Sequence, residues 1–289
     1  MQIVTDSGMD LYLPPDQMPK IKLHVAPLTI TLQGKSYRSG EDIKPQELYR
    51  MLAETGAFPT TSQPAAGDFA AIYRQLAATD PDILSIHMSS GLSGTVNAAK
   101  AAVEMVPEAN ITIVDTKTLS AGTGWQVEAA ARALEAGWSK EQIVDLTGRV
   151  ADASETIFTL DDLKYLIHGG RISHMKGLLA SVLQIKPMIG VAKPSGAYEQ
   201  LGQARTFKRA VAGLVDVMMR RHAPGSALRV QIVQADNPEG TAMLREQIEG
   251  RYECTWLPEG ILSPVLGAHT GPSMIGVVYA ALADYPQVP

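Results

Sequence analysis

The sequence predicts an α/β protein with a parallel, Rossmann-like sheet in its first half and a mixed, helix-covered sheet in its second. Three observations carry this. Up to Val150, short apolar runs alternate with helical stretches and polar turns, the pattern of βαβ units. At residues 151–154 the chain shifts to small and polar residues, which sets the expected boundary between domains 1–152 and 153–289. Beyond it, hairpin and crossover signals mix, as they do where parallel and antiparallel pairs share a sheet.

Each element has a local reason. Residues 2–4 read as a strand, and Thr5-Asp6-Ser7-Gly8 turns off its carboxyl end. Open α/β sheets gather ligands there, although Asp and Ser also favour turns for local reasons. Residues 22–28 and 29–32 look extended, and Gln33-Gly34-Lys35 turns a hairpin into 36–38. Helical spacing covers 43–54. In Phe58-Pro59-Thr60-Thr61-Ser62-Gln63-Pro64 two prolines bracket three hydroxyls, predicting a stiff, extended polar loop before a helix over 67–78. Residues 110–115 form a strand with a polar turn, followed by an Ala-rich helix over 121–136 closed by Gly137. Ser139 and Gln142 make a capping box for a helix over 139–150.

In the second half, 156–160 reads as a strand and 161–167 as a short helix. His168-Gly169-Gly170-Arg171-Ile172-Ser173 is a glycine turn that presents an arginine. A helix is expected over 176–184, then a strand over 185–191 and a turn at Pro194-Ser195-Gly196. Residues 207–221 are amphipathic, and 228–234, 238–249 and 253–257 read as strand, helix and strand. Apolar segments at 261–266 and 275–282 flank Gly267-Ala268-His269-Thr270-Gly271-Pro272.

The stretch DILSIHMSSGLSGTVNAA, residues 82–99, organises the chain. An apolar strand runs into Ser89–Gly94, small and polar with two glycines, and a helix begins near Ser93 or Gly94. That turn crowds hydroxyls and free backbone N–H groups at the positive end of a helix, where an anion or carboxylate finds donors without a cation. Helix capping by Ser93 alone is the plainer reading of the same residues.

Composition narrows the rest. Over 289 residues, 45% hydrophobic and 19% charged describe a globular chain with ample core. A net charge of -5 without a basic stripe argues against nucleic acid and anionic membrane as partners. Cys254 is the sole cysteine, so no intrachain disulfide forms, and a reducing, cytoplasmic setting is expected. No run reaches the length of a membrane span, and no stable membrane insertion is expected. With twelve Met and four Phe, an apolar pocket is expected to be aliphatic and thioether-lined.

Several chemistries are tested by motif. Gly91-Leu92-Ser93-Gly94-Thr95 approaches a hydrolase elbow but carries Thr where the second glycine belongs, so acyl hydrolysis or transfer through Ser93 is the lesser alternative. No Walker A loop is present. Gly122-Thr123-Gly124 starts a dinucleotide fingerprint that fails at Val127. The six histidines form no metal-binding pattern, so no metal is expected. His24 and His87 read as core or edge residues, and His269 is the one with a functional setting.

Taken together, IVTDS at 3–7, TSQP at 61–64, SSGLSGT at 89–95, LKYLIHGGRIS at 163–173, IKP at 185–187 and HTGP at 269–272 resemble the DegV family of bacterial fatty-acid-binding proteins. The likeness covers nearly the whole chain. It implies an N-terminal Rossmann-like domain with helices on both faces, a second α/β domain, and a long-chain fatty acid held between them. By resemblance, Thr61 and Ser93 meet the carboxylate, with Ser62, Gly94 and His269 beside it. Arg171 and His269 would support phosphoryl transfer. The resemblance implies no independent catalysis and no cofactor beyond the bound acid. The implied partner is a separate ATP-binding fatty acid kinase subunit that makes an acyl phosphate. One departure is Ser273, where the family often has glycine. If that position requires positive φ, the His269 loop shifts.

Overall fold

The computed structural model describes residues 1–179 and 185–289, so the distal part of the helix expected over 176–184 lies outside the described residues. The first half opens with β1 (Gln2–Asp6), β2 (Leu23–Ala26), β3 (Thr29–Leu32), β4 (Lys35–Arg38), α1 (Pro45–Thr55) and β5 (Thr60–Ser62). It continues with α2 (Ala66–Ala77), β6 (Asp82–His87), α3 (Thr95–Val103), β7 (Asn110–Asp115), α4 (Ser120–Glu135) and α5 (Lys140–Ala153). The second half holds β8 (Glu155–Thr159), α6 (Lys164–His168), α7 (Lys176–Leu179), β9 (Lys186–Val191), β10 (Tyr198–Ala204) and α8 (Phe207–Met219). It ends with β11 (Ala227–Gln234), α9 (Pro238–Glu249), β12 (Glu253–Trp256), β13 (Gly260–Ile261), α10 (Pro264–Thr270) and β14 (Ile275–Ala281).

Strands β2-β1-β6-β7 form a parallel sheet in that order. β1 and β6 are buried along nearly their whole length, because helices cover both faces. Val4 and Ile83 pack with α2 and α3, whereas Ile3, Leu84 and Ile86 face the core that includes α4 and α5. The second sheet runs β10-β9-β8-β14-β11-β12, with β13 also paired to β11. It is mixed: β11 is parallel to β12 and β13, and the remaining pairs are antiparallel.

Two local expectations are corrected. Residues 60–62 are not a loop: β5 pairs antiparallel with β3, completing a small sheet β4-β3-β5. Its edge position tolerates the neighbouring prolines, which cannot extend a ladder. Residues 264–270, expected as the end of an apolar segment and a loop, form α10. Pro264 suits the first helical position, and Gly271 at φ 69 ends the helix. The capping box of Ser139 and Gln142 is present.

Helix α4 is buried on almost every side, as a helix between two sheets must be. On the second-sheet side Trp125 Nε1 donates to Gln231 Oε1 at 2.8 Å, and Glu128 takes an ion pair from Arg229 of β11. A single apolar core therefore runs from Ile3 and Leu84 through Trp125 to Leu262 and Val278. The two α4 glycines have packing reasons. A Cβ on Gly124 would lie 2.1 Å from the Asp10 carbonyl oxygen, and one on Gly122 would lie 2.6 Å from Thr156 Oγ1.

Gly148 of α5, by contrast, is exposed with nothing within 4 Å of an added Cβ. Gly124→Ala is expected to lower unfolding free energy by about 2 kcal/mol or more through overpacking. Gly148→Ala should raise it by about 0.5–1 kcal/mol by restricting the unfolded chain. Urea midpoints of the two variants, at unchanged slope, check both.

Candidate functional site

Four side chains from four separate parts of the chain meet at one cavity. Strand alternation sends Thr61 inward and leaves Thr60 and Ser62 exposed. α10 presents Val265, Leu266 and His269 on one wall, and Ser93 comes from the turn between β6 and α3. Arg171 comes from the glycine turn after α6. With Leu28, Met88 and Leu92 these residues line one small cavity.

The turns are built for this approach. Gly170 sits at φ 73, a left-handed conformation that favours glycine. A Cβ on Gly169 would fall 2.1 Å from His269 Nδ1, so only glycine lets the Arg171 turn lie against the imidazole. In the serine turn Ser89 Oγ donates to the Gly196 carbonyl at 2.7 Å, and Ser90 bonds Asp115. Ser89 and Ser90 are thereby committed to holding the loop. Ser93 Oγ pairs with Thr95 Oγ1 at 2.8 Å while bordering the cavity.

The electrostatics are one-sided. Arg171 is half-buried and donates to the Gly169 carbonyl, and burial draws its pKa below the usual guanidinium range. Among the described residues no carboxylate lies within ion-pair distance of it. Burial, helped by the nearby charge of Arg171 and by His168, pulls the His269 imidazole down to about 3. The ring is therefore neutral near pH 7, and the cavity's positive charge is that of Arg171.

His269 Nε2 lies 2.7 Å from Thr61 Oγ1, and its buried Nδ1 has no partner among the described residues. A buried N–H without an acceptor is the costlier orphan, so the hydrogen-bond pattern assigns the proton to Nε2. The Thr61 oxygen then accepts, and its own hydrogen is free to donate into the cavity.

A second chamber shares Leu119, Tyr198 and Leu266 with the first. Its walls are almost entirely apolar, with Ile157, Phe158, Val233, Leu262, Met274 and Val278 among them. A cavity bordered by polar groups thus adjoins one lined by hydrocarbon, an order that matches an amphipathic chain.

The structure thus brings Thr61, Ser93, Arg171 and His269 together. Ser62 and Gly94 do not border the cavity: Ser62 points away by alternation, and Gly94 is the N-cap of α3, covered by the Gln63 side chain. Tyr198 was not foreseen. It is fully buried between the two chambers, with its hydroxyl pKa pushed up by burial, and no sequence pattern marks a tyrosine just after a hairpin turn. Ser273 is not in the left-handed region, and its Oγ accepts from the Asp161 N–H at 3.0 Å, so this position takes serine without shifting the loop into strain.

His269 Nε2 is engaged by Thr61, and Ser93 Oγ pairs with Thr95 rather than with a histidine. A chain Asp6–His87–Ser85–Tyr73 has the connectivity of a catalytic relay, at 3.0, 2.7 and 2.8 Å, but Asp6, His87 and Ser85 are fully buried. Asp6 also accepts from the Gly8 and Met88 N–H groups, and Ser7 Oγ accepts from the Leu28 N–H. These residues hold loops in place. Among the described residues there is no His, Cys, Asp and Glu cluster able to hold a metal, and no helix long and apolar enough to cross a membrane.

The family model described as "Uncharacterised protein, DegV family" matches residues 1–282. The chain belongs to the DegV family. It is 34% identical over 278 residues to a DegV domain-containing protein of Deinococcus radiodurans, covering 96% of this chain and 94% of the relative. A DegV family protein from Thermus thermophilus, whose structure was described for fatty acid binding, superposes with a TM-score of 0.85 at 32% identity, covering 97% and 99% of the two chains. The Streptococcus pneumoniae fatty acid kinase B3 protein, loaded with linoleic acid, shares the fold at a TM-score of 0.80 and 20% identity, over 97% and 99% of the chains.

Two buried groups of this DegV protein titrate in opposite senses. As pH falls from 6.5 toward 3 the unfolded chain protonates its residue 269 while the folded one does not, so the folded state loses about 1.4 kcal/mol per pH unit. Asp10 is held up to about 7 by burial, partly offset by its bonds from Ser120 and Ser263. It keeps its proton only in the folded state between 3.8 and 7, so its contribution falls as pH rises. Wild-type stability alone therefore masks both. The difference in unfolding free energy between wild type and His269→Gln should rise by about 1.4 kcal/mol per unit up to pH 6.5, then level off. A flat difference across that window would show an imidazole that protonates freely in the fold.

Proposed function

We propose that this protein binds a long-chain fatty acid, its carboxylate at Arg171, Thr61 and Ser93 and its tail in the apolar chamber. We further propose that it presents the carboxylate to a separate ATP-dependent kinase subunit. One observation carries the first part: a half-buried guanidinium without a carboxylate partner among the described residues borders the same small cavity as two hydroxyls, and that cavity shares Leu119, Tyr198 and Leu266 with an apolar one. A guanidinium in such a place favours a bound anion, and a carboxylate there is expensive unless it is hydrogen-bonded. The fatty acid binding of the 32% identical Thermus thermophilus relative supports the same ligand class.

The magnitudes are consistent with a carrier. Each buried methylene gains about 0.8 kcal/mol, so a long tail gains roughly 10 kcal/mol gross. Association and ordering of the tail take back several kcal/mol, leaving retention that is tight but reversible. Presentation to a kinase is supported by the resemblance and by the site's own chemistry. Among the described residues Ser93 pairs with Thr95 and with no base, His269 is neutral, and Arg171 supplies charge where an acyl phosphate would develop it.

Mass spectrometry of lipid extracted after mild purification tests the ligand. A long-chain fatty acid is expected; absence of acyl lipid, together with no uptake of added palmitic acid, would sink the reading. Thr61→Val and Ser93→Ala should each weaken retention roughly fivefold to a hundredfold, because each leaves a carboxylate lone pair without its donor. Unaltered lipid content in both variants argues against this placement of the carboxylate.

The second part is tested with the loaded protein, ATP and a fatty acid kinase subunit. Wild type is expected to yield acyl phosphate. His269→Ala and Arg171→Ala should retain measurable lipid yet lose most of that product, and normal product formation by either variant would remove it from the transfer step.

A further inference from the structure

The apolar chamber does not end wholly in hydrocarbon. A third cavity borders it through Thr156 and shares no lining residue with the Arg171 cavity. At the junction Thr156 Oγ1 lies 3.0 Å from Oγ1 of Thr118, which lines the third cavity only. The fold makes room for this pair: a Cβ on Gly122 would come within 2.7 Å of both hydroxyl oxygens. One hydroxyl donates to the other, which leaves one hydrogen and spare lone pairs for a third group.

The cations around this third cavity are already paired. Lys117 Nζ lies 2.9 Å from Asp115, and Lys193 Nζ lies 3.1 Å from Glu155, which also pairs with Arg221. Asp152, also on this wall, forms no ion pair among the described residues. A second carboxylate arriving here would meet no uncommitted cation and one uncompensated acid. A neutral hydroxyl would find a donor and an acceptor together.

We infer that the Thr118–Thr156 pair is a tail-end subsite that favours long-chain acids carrying a hydroxyl group at or near the end remote from the carboxylate. The inference rests on the fatty-acid reading above and adds a polar requirement at the opposite end of the ligand. A tail hydroxyl buried in a purely hydrocarbon chamber loses its water hydrogen bonds without replacement, which weakens binding severalfold or more. At this pair the same hydroxyl is satisfied.

The test is displacement of a bound fluorescent fatty acid from the full chain. The competitors are saturated acids from dodecanoic to octadecanoic, their ω-hydroxy counterparts and their ω-dicarboxylic counterparts. The best ω-hydroxy acid is expected to compete at least as well as the plain acid of its length, and the dicarboxylic acid worst. In Thr156→Val, which keeps the side-chain shape, the ratio of hydroxy to plain affinity should fall about three- to tenfold. Plain acids winning at every length in wild type, or an unchanged ratio in the variant, would overturn the subsite while leaving fatty-acid binding intact. Failure of every acid to displace the probe or to bind would instead overturn the fatty-acid reading and the subsite with it.

Discussion

Withdrawing a guanidinium from water with no carboxylate beside it costs free energy that the rest of the molecule must supply. Arg171 is half-buried with no carboxylate partner among the described residues, and its neighbours are arranged about it. Gly169 and Gly170 let its turn pass against the His269 ring in a conformation other residues resist. The imidazole answers by staying neutral, which avoids a second positive charge in the same small space. Thr61 takes the ring's Nε2 and turns its own hydrogen toward the cavity. A negatively charged oxygen is the group that this set of donors lacks.

The hydrocarbon side depends on α4. Because that helix is buried between the two sheets, its N-terminal residues become part of a wall that neither half could build alone. Leu119 borders both chambers, and Ser120 is held at φ 55 beside the apolar one. Backbone strain of this kind persists only where surrounding contacts fix it. Here the fixing group is Asp10, which accepts from Ser120 Oγ and from the N–H of Ser263, the cap residue of α10. One buried carboxyl thus ties the start of α4 to the helix that carries Leu266 and His269.

Access, more than connectivity, separates the polar groups that hold loops from those that border the Arg171 cavity. Asp6, His87 and Ser85 have the order and spacing of a hydrolytic relay, yet they lie in the core and bond loops. Ser89 and Ser90 likewise spend their hydroxyls on the Gly196 carbonyl and on Asp115. Of the serines in that turn, Ser93 alone borders the Arg171 cavity. The glycines of Gly122-Thr123-Gly124 also belong to packing, one against paired threonine hydroxyls and the other against the Asp10 carbonyl.

The amino-acid sequence by itself determined the alternation of strands and helices, the capped helix starting at Ser139, and the motifs carrying Thr61, Ser93, Arg171 and His269. These are local matters: periodicity, turn chemistry and residue order survive in one dimension. Tertiary structure decided that Thr60 to Ser62 is a strand, because β3 supplies its partner from thirty residues away. The same pairing turned Thr61 inward and Ser62 outward, a choice that a one-residue shift in register would reverse. It also decided that Tyr198 stands between the chambers, that His269 is neutral and that Arg171 has no acidic neighbour among the described residues. Burial and charge balance are sums over segments distant in the chain, and they exist only once the sheets have closed around α4.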